Sequence, residues 1–187
     1  MMTTRSELLD VVYRFYPRGV HKISRIYVPP GEPVYVDTEE HRRLVEAADR
    51  GRAEYPRWEE MIHRMYERYG LQNESLSLVS GDAEPAYSAR IYRPRDFEPA
   101  PSLSSRASLS FHVSLLGPYY GIHSRGEPDE IPAAVAELIE ATYPGYRTIP
   151  PELGNEVVPD VDMDGVWMGE ATIYVCLFSR KWTWVDP

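Results

Sequence analysis

The chain has 187 residues, 43 % of them hydrophobic and 26 % charged, a formal net charge of −9 and a single cysteine, Cys176. Length and composition predict one globular domain over residues 1–187 with a sizeable core, and one cysteine excludes an internal disulfide framework or a multi-cysteine zinc site. Glu7 and Asp10 interrupt the apolar stretch of residues 1–19, which excludes the pattern of a signal peptide or membrane span there and makes a cytoplasmic protein the expectation.

Residues 5–16 place Leu8, Leu9, Val12 and Phe15 at helical spacing before "PRG", so a helix is predicted. "SRIYVPPGEPVYV" (24–36) reads as two short strands around a Pro-Gly turn. "DTEEHRRLVEAADRG" (37–51) opens with Asp37 and Glu40 in a capping-box pattern and stops at Gly51. In "YPRWEEMIHRMYERYG" (55–70), Pro56 suits the first turn of a second helix and Gly70 its end. Trp58, Met61, Ile62, Met65, Tyr66 and Tyr69 form its apolar stripe, which reads as core.

Strands are predicted at 75–79 and 87–92, followed by a surface loop at 94–108. A hairpin comes next in "SLSFHVSLLGPYYGIHS" (108–124). "DEIPAAVAELIEATYPG" (129–145) reads as a helix with Ile131, Val135, Leu138 and Ile139 inward. "EATIYVCLFS" (170–179), apolar on both alternating faces, reads as a strand covered on both sides, with Cys176 a buried small hydrophobe. Helices and strands mix without regular βαβ alternation. The expected fold is α+β: a mostly antiparallel sheet with three to four helices packed on it.

The charge is uneven. Residues 1–70 balance, whereas residues 127–164 hold ten acidic residues against Arg147 alone. Such a field repels nucleic acid and attracts basic surfaces. Asp160, Asp162, Asp164 and Gly165 match the first half of a calcium loop, but position 12 is Ala171 rather than glutamate. A turn with its aspartates in water is the expected structure, and Glu156, Asp160, Asp162 and Asp164 are the candidate contacts for a cationic partner. Eighteen arginines, two lysines and fourteen tyrosines fit either a GC-rich coding bias or interface use.

Two further features carry chemistry. A hairpin centred on Gly117-Pro118 sets Val113 opposite Ile122, Leu115 opposite Tyr120 and His112 opposite His123, close enough to share a metal or a proton. No third ligand at a recognised spacing accompanies the two histidines. "HVS" is similar to the His-x-Ser/Thr signature of two-histidine phosphoesterases, whose second copy "IHSRG" does not supply. At the C-terminus, Trp182 and Trp184 point to one side, either packed on the sheet or serving as partner anchors.

"YRFYPRG", "FHVSLLGPYYGIH" and "ATIYVCLFSRKWTW" give the chain an aromatic-rich character that resembles the small, acidic, cytoplasmic α+β immunity proteins that bacteria encode beside polymorphic toxins. The resemblance implies a protein without chemistry of its own, which neutralises a cognate toxin by covering or locking its active site. The expectation is therefore a non-catalytic binder of a basic protein, with no cofactor and no nucleic-acid or membrane partner. The alternative is a metal-dependent, hydrolase-like enzyme using His112 and His123.

Overall fold

The computed structural model describes residues 3–23, 25–69, 72–75, 84–92, 109–124, 130–163 and 165–178. Helix α1 (Arg5–Phe15) starts at a capping box: Thr4 Oγ1 accepts from the Glu7 amide, and the Thr4 amide donates to the Glu7 carboxylate at 2.8 Å. These bonds satisfy two amides that a helix start leaves orphaned. Leu8, Val12 and Phe15 are buried, as their spacing predicts.

The predicted strands at 24–36 do not form. Two short 3₁₀ turns, Arg25–Tyr27 and Tyr35–Asp37, stand there instead. Pro29, Pro30 and Pro33 have no amide to donate to a sheet, and the Glu32 amide closes a turn onto the Pro29 carbonyl with Gly31 at φ 91°. Arg25 and Asp37 form an ion pair across this arm, Nη2 to Oδ2 2.7 Å.

The two helices predicted over 37–70 are one, α2 (Glu39–Tyr69), 31 residues long. Its first turn is capped by Thr38, whose hydroxyl accepts from the His41 amide, rather than by Asp37. Gly51 is not a stop: a Cβ there would lie 2.5 Å from the Leu115 side chain, so its missing side chain lets the helix pass over the hairpin turn. Pro56 and Arg52, whose carbonyl proline leaves without an amide donor, both lie on the exposed side of the helix, which continues through them.

Five strands form one sheet in the order β1 (Gln72–Ser75), β2 (Ala86–Tyr92), β3 (Leu109–Ser114), β4 (Tyr119–Ser124) and β5 (Arg147–Thr148). The first four are antiparallel and β5 adds parallel to β4. The fold is α+β with a mostly antiparallel sheet. Most of the strand predicted at 75–79 and the loop at 94–108 lie outside the described residues. Helix α3 (Glu130–Thr142) returns over the sheet, and α4 (Pro151–Gly154) is a single turn.

Residues 170–179 are not a strand. Thr172 caps a short helix, α5 (Ile173–Leu177), by accepting from the Val175 amide, and all five helical residues are buried. A continuous apolar run has no period with which to tell a strand from a buried helix. Cys176 is fully buried among them, as expected, and burial pushes its thiol well above the ordinary value. One hydrophobic cluster joins α1, the first half of α2 and α5; the other joins the second half of α2, α3 and one sheet face. Among the described residues no helix is long and apolar enough to cross a membrane.

Candidate functional site

The acidic segment that breaks the chain's charge balance folds against α1 and the arm that follows it. Asp160 accepts from the Tyr13 hydroxyl (3.0 Å) and from Arg18 Nε (2.6 Å), and its carbonyl accepts from the Gly19 amide at 2.7 Å. Asp162 is only 4 % exposed. Its Oδ2 lies 3.0 Å from His21 Nδ1 and accepts from the Lys22 amide at 3.2 Å. Glu156 is ion-paired with Arg5. The expectation of freely solvated carboxylates is therefore corrected for all three: the chain's own cations and donors occupy them. The reason is topological, since residues 5–22, with Arg5, Arg14, Arg18 and Lys22 against Glu7 and Asp10, lie far away in sequence yet dock beside this loop. Asp164, Trp182 and Trp184 lie outside the described residues.

Two consequences are measurable. Burial works to raise the Asp160 carboxyl, but the bonds from Arg18 and Tyr13 and the Arg18 charge outweigh it, leaving it below its ordinary 3.8. A depressed folded-state value stabilises the protein above the unfolded value and is lost as pH falls through the folded one. Asp160→Asn is therefore expected to lose less stability than the parent between about pH 5 and pH 2 in urea titrations; parallel acid profiles would contradict this. Asp162→Ala strips the partly buried Lys22 amide of its acceptor, and unfolding at neutral pH is expected to become easier by about 1–3 kcal/mol.

Beyond this clasp the chain makes two tight turns. Met163 and Val166 exchange both main-chain hydrogen bonds, at 3.1 and 3.2 Å. The Glu170 amide then closes onto the Trp167 carbonyl at 2.9 Å. Gly165 (φ 72°) and Gly169 (φ 89°) supply the left-handed conformations these turns require. The Val158 amide donates to the Ala171 carbonyl at 2.7 Å and Val157 bridges Thr172, fixing the returning strand of chain. The result is a loop tied at its base that holds Trp167 outward, 70 % exposed, with Val157 47 % exposed nearby along the same bridged segment. Glu170 is exposed and makes no ion pair among the described residues. Sequence reasoning passed over Trp167; the glycines at 165 and 169 on either side of it were the available signal. Ile26 (80 %) and Tyr27 (72 %) are likewise exposed on the arm.

The hairpin differs from expectation by one register step of two residues. Val113 pairs with Tyr120, Phe111 with Ile122, His112 with Gly121 and Ser110 with His123. His112 and His123 are not directly opposed. The loop is Leu115–Pro118 rather than a turn centred on Gly117-Pro118, because the Leu115 amide bonds to the Pro85 carbonyl on the β2 side. A shift of two residues preserves the facing of side chains, so apolar alternation alone could not select between the registers. His112 is buried; its Nδ1 lies 2.7 Å from Ser88 Oγ on the paired strand, and its ring stacks on Phe178. Among the described residues no three histidine, cysteine or carboxylate side chains are grouped for a metal.

A small depression of about 190 Å³ lies between α2 and α3, lined by Arg57, Glu60, Met61, Arg64, Ala141 and Thr142. Arg57 donates to the Thr142 carbonyl and lies over the Tyr143 ring, while Arg64 pairs with Glu60. Both guanidinium groups are thus engaged, Arg57 in joining the two helices and Arg64 within α2.

Set beside known proteins, the chain matches no family model, no curated protein and no solved structure.

Proposed function

We propose that this chain is a non-catalytic, cytoplasmic binding protein of the immunity type, which neutralises a basic toxin domain by covering a functional surface. The observation that supports this reading is Trp167, a large aromatic side chain held in solvent by a loop tied at its base. Exposing an indole forgoes the favourable burial its size offers, and tryptophan is among the residue types that dominate binding energy at interfaces. The net charge of −9 adds long-range attraction for a cationic partner. Asp160 and Asp162 serve in this reading as internal anchors of the loop rather than as contacts, and Glu156 as a strut to α1.

The test is recovery of the tagged chain from its own cells, identification of any stoichiometric protein partner by mass spectrometry, and reconstitution from purified components. A 1:1 complex with a basic protein whose activity is suppressed on binding is expected. A chain recovered without a partner, or a complex that leaves its partner fully active, rejects the reading.

A further inference from the structure

We infer that the Trp167 loop is an arginine-recognition surface: the partner places a guanidinium over the exposed indole face, within reach of the Glu170 carboxylate. This deepens the binding reading above and rests on it. Three observations on the loop converge. Trp167 presents its ring to solvent, and among the described residues no arginine or lysine of the chain lies over it, whereas Arg18, Arg57 and Arg147 each cover a tyrosine elsewhere. The hydrogen bond from the Glu170 amide to the Trp167 carbonyl closes a four-residue turn, which brings the two Cα atoms within about 7 Å. Glu170 is exposed and has no ion-pair partner among the described residues.

An indole face attracts cations through its quadrupole, and a carboxylate carried on the same turn supplies the hydrogen-bond acceptor that a planar guanidinium uses best. The loop is also pre-organised. The Met163–Val166 bridge, the Val158–Ala171 bond and the anchored Asp160 and Asp162 hold its base, so little ordering remains to be done on binding. Ile26 and Tyr27 are as exposed, but Arg25 and Asp37 of their arm pair with each other, and the turn that ends at the arm's exposed Glu32 closes on Pro29 rather than on either of them.

The probe is the peptide acetyl-Arg-Gly-Arg-Gly-Arg-amide, titrated into the full chain with ¹⁵N-labelled tryptophan while the indole N–H signals are followed. Saturable movement of the Trp167 signal is expected, with the signal of buried Trp58 unmoved. The same peptide with citrulline for arginine is expected to produce no movement, and Glu170→Gln to weaken binding about threefold. A Trp167 signal that stays still, or responds equally to citrulline, overturns the inference. With the reconstituted partner, Trp167→Ala is expected to weaken binding about 30-fold, with an unchanged urea midpoint confirming that the fold is intact. Unchanged affinity removes this surface while leaving the binding reading in place; failure to recover any partner removes that reading instead. Concentration-dependent dimerisation abolished by Trp167→Ala would assign the loop to a second copy of the chain and overturn the inference as well.

Discussion

Trp58→Ala is expected to lower unfolding stability by about 3–5 kcal/mol, enough to leave a protein of ordinary stability close to its threshold. Trp58 is fully buried on the inner face of α2, stacked on Tyr87 at 5.1 Å and tilted against Phe111 at 5.4 Å. It therefore joins the second half of α2 to the two central strands. Truncation removes the largest side chain of this cluster and leaves a hole that Met61 and Met65, on the same helix face, refill only in part. The Tyr87 hydroxyl also donates to the Gly51 carbonyl, so loosening of Tyr87 reaches the middle of the helix. Urea unfolding followed by far-ultraviolet circular dichroism measures the loss. A change below about 1 kcal/mol would mean that the sheet–helix contact is not built around this ring.

Gly154→Ala is the second large effect. A Cβ at this position would stand 2.3–2.5 Å from three carbons of the Tyr174 ring. The ring has nowhere to go: its hydroxyl donates to the Ile149 carbonyl at 2.7 Å and its plane meets Phe178 at 5.8 Å. Burial pushes the Tyr174 phenol up to about 12, so that hydroxyl stays a donor throughout the physiological range. Overpacking at so fixed a contact is expected to cost about 3 kcal/mol. The double variant Gly154→Ala, Tyr174→Leu is expected to lose less than the two single losses together, because the smaller side chain makes room for the methyl group. Strict additivity would show that the two residues do not compete for space.

Periodic segments were legible before any coordinates. Helices α1 and α3 and strands β2, β3 and β4 stand where residue spacing puts them, because each carries a helical period or an apolar alternation that its packing uses. The failures share a cause. Gly51 reads locally as a helix stop and Pro56 as a helix start, but Leu115 needs the space at the glycine and the proline lies on the exposed side of the helix, so tertiary context overrode propensity. Residues 173–177 are apolar throughout, so no period existed to be read.

Charge count and charge placement are separate properties. The sequence alone establishes the acidic surplus in residues 127–164, the lone cysteine and the α+β class, since these depend on composition and on short-range periodicity. Which carboxylates remain available was decided only when the chain closed on itself. Arg5 and Arg18 come from the opposite end of the sequence to pair with Glu156 and Asp160, and His21 and the Lys22 amide come from there to meet Asp162. A buried or half-buried carboxylate requires a partner that water no longer supplies, and finding that partner is a matter of long-range geometry. The same closure turned Asp160 and Asp162 into anchors and left Trp167, marked in the sequence only by its flanking glycines, facing solvent.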